Sequence, residues 1–376
     1  MRFETYPFEK LTRLLEGITP PAELAPMALT IGEPQFPTPQ FILDEFAARA
    51  GELRYYPKSG GEEFLHTAQR AFVARRFGVT LSKDQLIPTF GTREVLFNLP
   101  QYLLFDKTYP VMAFPNPFYQ IYEGAAIASR ARIIHLPLLP ESGFKPVIDE
   151  HELAACDLVI LNSPSNPTAA VMTLDELCEW ARLSAKYGFI LINDECYSEI
   201  YSTTPPPSLL EAAKAIGNDR FENILVLNSI SKRSNAPGLR SGFVAGDASI
   251  LAGYRQYRTY VGAAIPLPLQ HAAAVAWSDE SHVAKAREAY RENFVIAEEI
   301  LGVAPSLATF YLWLFVNDDL EAAKKLYQEA NLKVLPGSFL GRNKAGEGYV
   351  RLALVYEPAR TREALTRFAS VMKGIA

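Results

Sequence analysis

Only 3 cysteines occur in 376 residues, Cys156, Cys178 and Cys196. Their odd number and wide spacing exclude a disulfide framework and a Cys-x-x-Cys metal site, and they read as reduced thiols. No apolar run approaches the roughly 18 residues of a membrane span. The segment Met1 to Pro20 alternates charged and apolar residues instead of holding a signal-peptide core. The expectation is a cytoplasmic protein without a membrane partner. Charge of one sign is also scarce: 37 Lys and Arg stand against 42 Asp and Glu, for a net charge of -5. No cationic cluster is clear of acidic neighbours, so no nucleic-acid partner is expected. The 5 histidines are scattered singly. There is no Walker loop, no G-x-G-x-x-G after a strand, no H-E-x-x-H and no G-x-S-x-G, so neither a metal site nor a Ser-His-Asp hydrolase is expected.

What is present is a globular composition with 49% hydrophobic residues, long enough for two or three domains. From about residue 80, short β-branched runs alternate with amphipathic stretches, the pattern of an α/β chain with a mostly parallel sheet between helices. Seven strands are expected: Leu86 to Phe90, Val111 to Phe114, Arg132 to Leu136, Leu158 to Asn162, Phe189 to Asn193, Ile224 to Asn228 and Gly242 to Ala245. After Pro266 and Pro268 the pattern predicts one long helix, Leu269 to about Leu301. Beyond it, strands over Thr309 to Val316 and Tyr349 to Val355 and helices over Leu320 to Asn331 and Thr361 to Met372 suggest a smaller α+β domain. The expected division is a large domain of residues 40–275 and a small one of residues 1–39 with 276–376.

In open α/β sheets, ligands bind beyond the carboxyl ends of the strands. Four such ends carry chemistry here. The first strand runs into Gly91-Thr92-Arg93 and a helical stretch, a turn that aims free backbone N–H groups at an anion. Leu158 to Asn162 runs into Ser163-Pro164-Ser165-Asn166-Pro167-Thr168, which presents the Asn166 side chain. The strand before Asp194-Glu195-Cys196-Tyr197 puts an acid where burial demands a partner. Ile224 to Asn228 leads to Ser229-Ile230-Ser231-Lys232, then Gly238-Leu239-Arg240. Taken singly, these are an ordinary turn, a structural ion pair and a surface lysine. Together they suit pyridoxal phosphate, which needs a lysine, an acid for its pyridine nitrogen and donors for its phosphate.

In that order, with Ile31-Gly32-Glu33-Pro34, Tyr55-Tyr56-Pro57 and Arg351-Leu352-Ala353-Leu354 added, the motifs resemble the class I, fold-type I pyridoxal-phosphate aminotransferases over nearly the whole chain. The resemblance implies that Lys232 holds the cofactor covalently and moves the substrate proton. It implies that Asp194 pairs with the pyridine nitrogen, and that Tyr197 and Asn166 bond the ring's 3-oxygen while Tyr119 stacks on the ring. Gly91, Thr92, Arg93, Ser229, Ser231 and Arg240 would hold the phosphate, with Tyr55 reaching it from a second subunit of a homodimer. Arg351 and Gly32 would hold the substrate α-carboxylate beside Asn166. Ala169 departs from the family's usual glycine and would be strained at a left-handed φ.

Gly91 to Phe97, Asn116 to Gly124, Asp194 to Tyr201 and Ser231 to Gly242 look especially like N-succinyl-LL-2,6-diaminopimelate aminotransferases, which use glutamate and 2-oxoglutarate and serve lysine and diaminopimelate biosynthesis. That substrate needs cations for its distal carboxylates, and no motif says which residue supplies them. Tyr260 and Gly262 are pocket-wall candidates by position alone. A broad aspartate or aromatic aminotransferase remains the alternative, followed by a C–S β-lyase and a non-catalytic sensor. Lys232 speaks against the sensor.

Overall fold

The structure is a computed structural model that describes residues 3–372. Its strands, in chain order, are β1 (Met27–Ala28), β2 (Leu86–Thr89), β3 (Val111–Asn116), β4 (Arg132–Pro137), β5 (Leu158–Asn162), β6 (Ile190–Asp194), β7 (Ile224–Ser229), β8 (Gly242–Gly246), β9 (Tyr311–Phe315), β10 (Leu332–Lys333), β11 (Leu335–Pro336) and β12 (Tyr349–Ala353). Seven of them form the main sheet in the order β2-β8-β7-β6-β5-β3-β4. Only β8 runs against its neighbours. The expected mostly parallel seven-stranded sheet is therefore present.

Both faces of this sheet are covered, which is why its strands read as continuous apolar runs. Val159 and Leu161 pack to one side with Leu177 and Trp180. Leu158 and Ile160 pack to the other with Phe114 and Tyr122. The crossover helix Leu174–Tyr187 shows how locally the elements are specified. Thr173 and Glu176 form a capping box at its start, and Gly188 takes a left-handed φ of 77° at its end.

A smaller antiparallel sheet, ordered β11-β12-β9, has its own core of Leu326, Val334, Leu352 and Phe368. The N-terminal β1 pairs in parallel with β10, tying the start of the chain to this smaller sheet domain. Among the described residues no helix is long and apolar enough to cross a membrane.

The long helix expected over Leu269 to Leu301 is two helices, Leu267–Ser278 and Ser281–Leu301. Asp279 breaks it by taking an extended backbone, and its carboxylate accepts the His282 N–H at 3.0 Å, capping the second helix. The helices Gln40–Arg49 and Glu63–Phe77, not foreseen from the sequence, cover one face of the main sheet.

Candidate active site

The carboxyl ends of β2, β5, β6 and β7 lie on one edge of the main sheet. Because β8 runs the other way, the same edge receives its amino end, where Gly242 is level with both Thr89 and Ser229. The one reversed strand thereby brings Arg240 beside Gly91. A cavity of about 910 Å³ opens along this edge.

One end of the cavity is cationic and rich in donors. The helix Thr92–Leu104 begins there, and Gly91 ahead of it has a φ of 73°. A side-chain carbon at Gly91 would lie 2.2 Å from the Arg240 guanidinium, so only glycine leaves this cradle open. Arg240 Nη1 donates to the Pro237 carbonyl at 2.8 Å, and no described carboxylate pairs with it. The Ser229 hydroxyl lies 2.8 Å from that of Ser231, and both residues line the cavity. Arg93 also faces the cavity, with its Nε donating to the Tyr119 hydroxyl at 2.8 Å.

The floor holds Asp194 and Lys232. Asp194 is 5% exposed and level with Asn162 on the next strand. It accepts from the Tyr122 hydroxyl at 3.0 Å and the Cys196 backbone N–H at 3.3 Å. Burial raises its carboxyl above the ordinary value, opposed by these bonds and by Lys232. Its neighbour Glu195 points the other way, as strand alternation requires, and accepts from Ser208 at 3.0 Å and Leu209 N–H at 2.8 Å. Burial pushes that carboxyl up to about 8. The short helix Ile230–Arg233 carries Lys232, whose ammonium donates to the Gly32 carbonyl. Desolvation pulls the lysine down to about 8.

The smaller domain supplies the facing wall. Arg351 on β12 is 4% exposed and donates to Asn166 Oδ1 at 2.6 Å and to the Thr30 carbonyl. Its Nε has no partner among the described residues. The Tyr197 and Tyr311 hydroxyls are 2.9 Å apart, and a side chain at Gly32 would meet the Tyr311 hydroxyl at 1.9 Å. Thus Gly32, Thr92, Arg93, Tyr119, Asn166, Asp194, Tyr197, Ser229, Ser231, Lys232, Arg240 and Arg351 all line one cavity. Tyr55 does not; it is 53% exposed on the outer surface.

The family model for class I and II aminotransferases matches residues 25–368. The chain belongs to that family. A crystal structure of aminotransferase AspB from Helicobacter pylori superposes with a TM-score of 0.96 at 48% identity, covering 99% of this chain and 100% of that one. The 4-dedimethylamino-4-oxo-anhydrotetracycline transaminase OxyQ of Streptomyces rimosus is 34% identical over 90% of this chain and 92% of its own. An LL-diaminopimelate aminotransferase of Natranaerobius thermophilus is 31% identical over 90% of each. Such relatives bear out an aminotransferase that uses pyridoxal phosphate and acts on amino and oxo acids, while their named substrates differ widely.

The residues present fit that cofactor. Arg240 lacks a carboxylate partner beside a glycine-lined turn with free N–H groups, which is a phosphate's requirement. A buried carboxylate ends β6, next to the strand β7 that leads into the lysine-bearing helix, matching a cofactor with a basic ring nitrogen and an aldehyde. Sequence reasoning missed Tyr122, Tyr311 and the aminotransferase's N-terminal Tyr6 and Phe8, which also line the cavity. Tyr122 follows Tyr119 by three residues, one helical turn, a spacing that could have drawn notice. Nothing local marks the others.

Proposed function

We propose that this aminotransferase interconverts N-succinyl-LL-2,6-diaminopimelate plus 2-oxoglutarate with N-succinyl-2-amino-6-oxopimelate plus L-glutamate. The observation that carries the distal-carboxylate reading is Arg93. It is exposed at the cavity mouth, bonded to Tyr119, and has no ion-pair partner among the described residues. A planar cation left free inside a substrate cavity suits a second carboxylate. The similarity to LL-diaminopimelate aminotransferases supports a substrate of that length.

Pyridoxal phosphate, when bound, supplies an electron-withdrawing ring that stabilises negative charge at the substrate Cα. Lys232 holds the cofactor and then, as a neutral amine, takes the proton from that Cα. Asp194 keeps the ring nitrogen protonated, and Tyr122 fixes the carboxylate's direction. Asn166 and Tyr197 would bond the ring's 3-oxygen, and Tyr119 would stack on the ring. Arg240, Ser229, Ser231 and the N–H groups of Thr92 and Arg93, freed by Gly91, hold the phosphate. Arg351 clamps the α-carboxylate with its fork, opposite Gly32.

Leu53, Tyr55 and Tyr56 follow one another closely in the chain and are all exposed, which supports a homodimer in which Tyr55 completes a neighbour's phosphate site. The division into residues 40–275 and residues 1–39 with 276–376, and a cytoplasmic location, belong to the same reading.

The test is kcat/KM for N-succinyl-LL-2,6-diaminopimelate, glutamate, aspartate and phenylalanine. The proposal expects the succinylated substrate and glutamate to lead. Comparable values for aspartate and phenylalanine would establish the broad enzyme instead, and pyruvate release from cystathionine would establish a β-lyase.

A further inference from the structure

A second polar cluster lies behind the cavity floor, at the joint between the helices Leu267–Ser278 and Ser281–Leu301. His282 is the centre of an Asp-His-Ser chain: its Nδ1 is 2.6 Å from Asp279 Oδ2 and its Nε2 is 2.8 Å from Ser234 Oγ. With Nδ1–H given to the carboxylate, the neutral ring's Nε2 accepts from the serine hydroxyl. The constellation resembles a hydrolytic triad, yet Ser234 is 0% exposed, so no acyl group can reach it. It needs another explanation.

Ser234 and Arg233 directly follow Lys232. Arg233 is 1% exposed and packs against both Phe72 and Trp277. It donates to the Ala276 carbonyl at 2.8 Å and to Glu280 at 2.9 Å. The two residues after Lys232 therefore grip the end of one helix, the joint at Asp279 and Glu280, and the first turn of the next helix. That next helix reaches the small domain, where Asn293 donates to the carbonyls of Leu354 at 3.0 Å and Tyr356 at 2.8 Å. Leu354 lies three residues beyond Arg351. A continuous line of hydrogen bonds and helix thus runs from Lys232 to Arg351, outside the cavity.

We propose that Arg233, Ser234, Asp279, Glu280 and His282 form a latch that sets the position of Lys232 against Arg351, making His282 and Ser234 positioning residues for proton transfer. The proposal rests on the site reading above, in which Lys232 moves the Cα proton and Arg351 holds the α-carboxylate. A latch of two independent ties, one ionic and one through His282, holds the joint at both ends, so loosening either shifts Lys232 against Arg351 while the Gly91 turn and Arg240, which lie on other segments, keep the phosphate. Misplacing a reacting group by a fraction of an ångström to one ångström costs rate far more than binding.

Holoenzyme carrying Ser234→Ala, His282→Gln or Arg233→Lys is compared with the parent. Five quantities are read: the melting temperature, cofactor affinity, kcat for glutamate, KM for glutamate, and hydrogen exchange in residues 281–290. Borohydride trapping with peptide mapping first locates the cofactor in each. The latch predicts attachment at Lys232 throughout, unchanged cofactor affinity, faster exchange in the 281–290 turn and a kcat lower by about tenfold or more. A His282→Gln variant, whose amide still meets Ser234, recovers part of the rate lost in a His282→Ala variant. Faster exchange with unchanged kcat overturns the proposal, because the cluster is then only structural. Attachment in the parent at a residue other than Lys232 overturns the site reading and the latch together, whereas attachment at Lys232 with unaltered variants overturns the latch alone.

Discussion

The floor and the mouth of the cavity are built differently. On the floor and the walls that rise from it, polar groups are tied to one another: Asp194 to Tyr122, Ser229 to Ser231, Arg351 to Asn166. At the mouth, Arg93 is exposed and Tyr6 and Phe8 come from the far N-terminus. Fixed geometry suits chemistry common to every amino acid, since positioned groups act without reorganising. A looser rim with one unpaired cation suits the choice among side chains. Relatives named for substrates as unlike as LL-diaminopimelate and 4-dedimethylamino-4-oxo-anhydrotetracycline are in keeping with such a division.

Breaking the floor should have the largest effect. Lys232→Ala should lower turnover by about 10³-fold or more, the scale of a lost general base, in a steady-state assay; normal turnover would move the base elsewhere. Next, Arg351→Lys should raise KM for amino and oxo acids alike by about tenfold, because a point charge replaces a fork. Equal KM values would place the α-carboxylate on another residue. At the mouth, Arg93→Ala should raise KM about tenfold for dicarboxylic amino acids, the loss of one charge-assisted hydrogen bond. Phenylalanine should be unaffected, and a uniform loss across substrates would make Arg93 part of the floor.

The smallest effect should come from a residue that does not line the cavity. Ala169 has a φ of 60°, the left-handed conformation that the sequence flagged as strained. Ala169→Gly should stabilise the fold by about 1 kcal/mol through relief of that strain, read by denaturant unfolding, with kcat unchanged. No stabilisation would mean that the glycine's gain in unfolded-chain entropy offsets the relief.

Asp194, Asn166 and Lys232 were legible in the sequence because each follows or ends a strand in a short motif, and parallel strands bring such ends to one edge; Tyr122, on a helix, was not. Arg240 was legible through its spacing from Lys232, although the reversal of β8 that places it was not. The mouth was not legible: Tyr6, Phe8 and Tyr311 meet only through pairings between distant parts of the chain, and no local pattern announces them. The latch escaped for the same reason, since His282 stands alone in the sequence and finds Ser234 only because Asp279 breaks a helix that periodicity alone would continue.

The central claim is that Lys232 is the amine that works in this site. Burial favours its neutral form, lowering its pKa to about 8, so the lone pair becomes free as the pH rises through that value and is protonated below it. The measurement is trapping by borohydride of pyridoxal phosphate added to cofactor-free protein across pH, followed by peptide mapping. The account predicts one adduct, on Lys232, forming with a midpoint near pH 8. An adduct on any other lysine, or a midpoint at the ordinary lysine value, would contradict it.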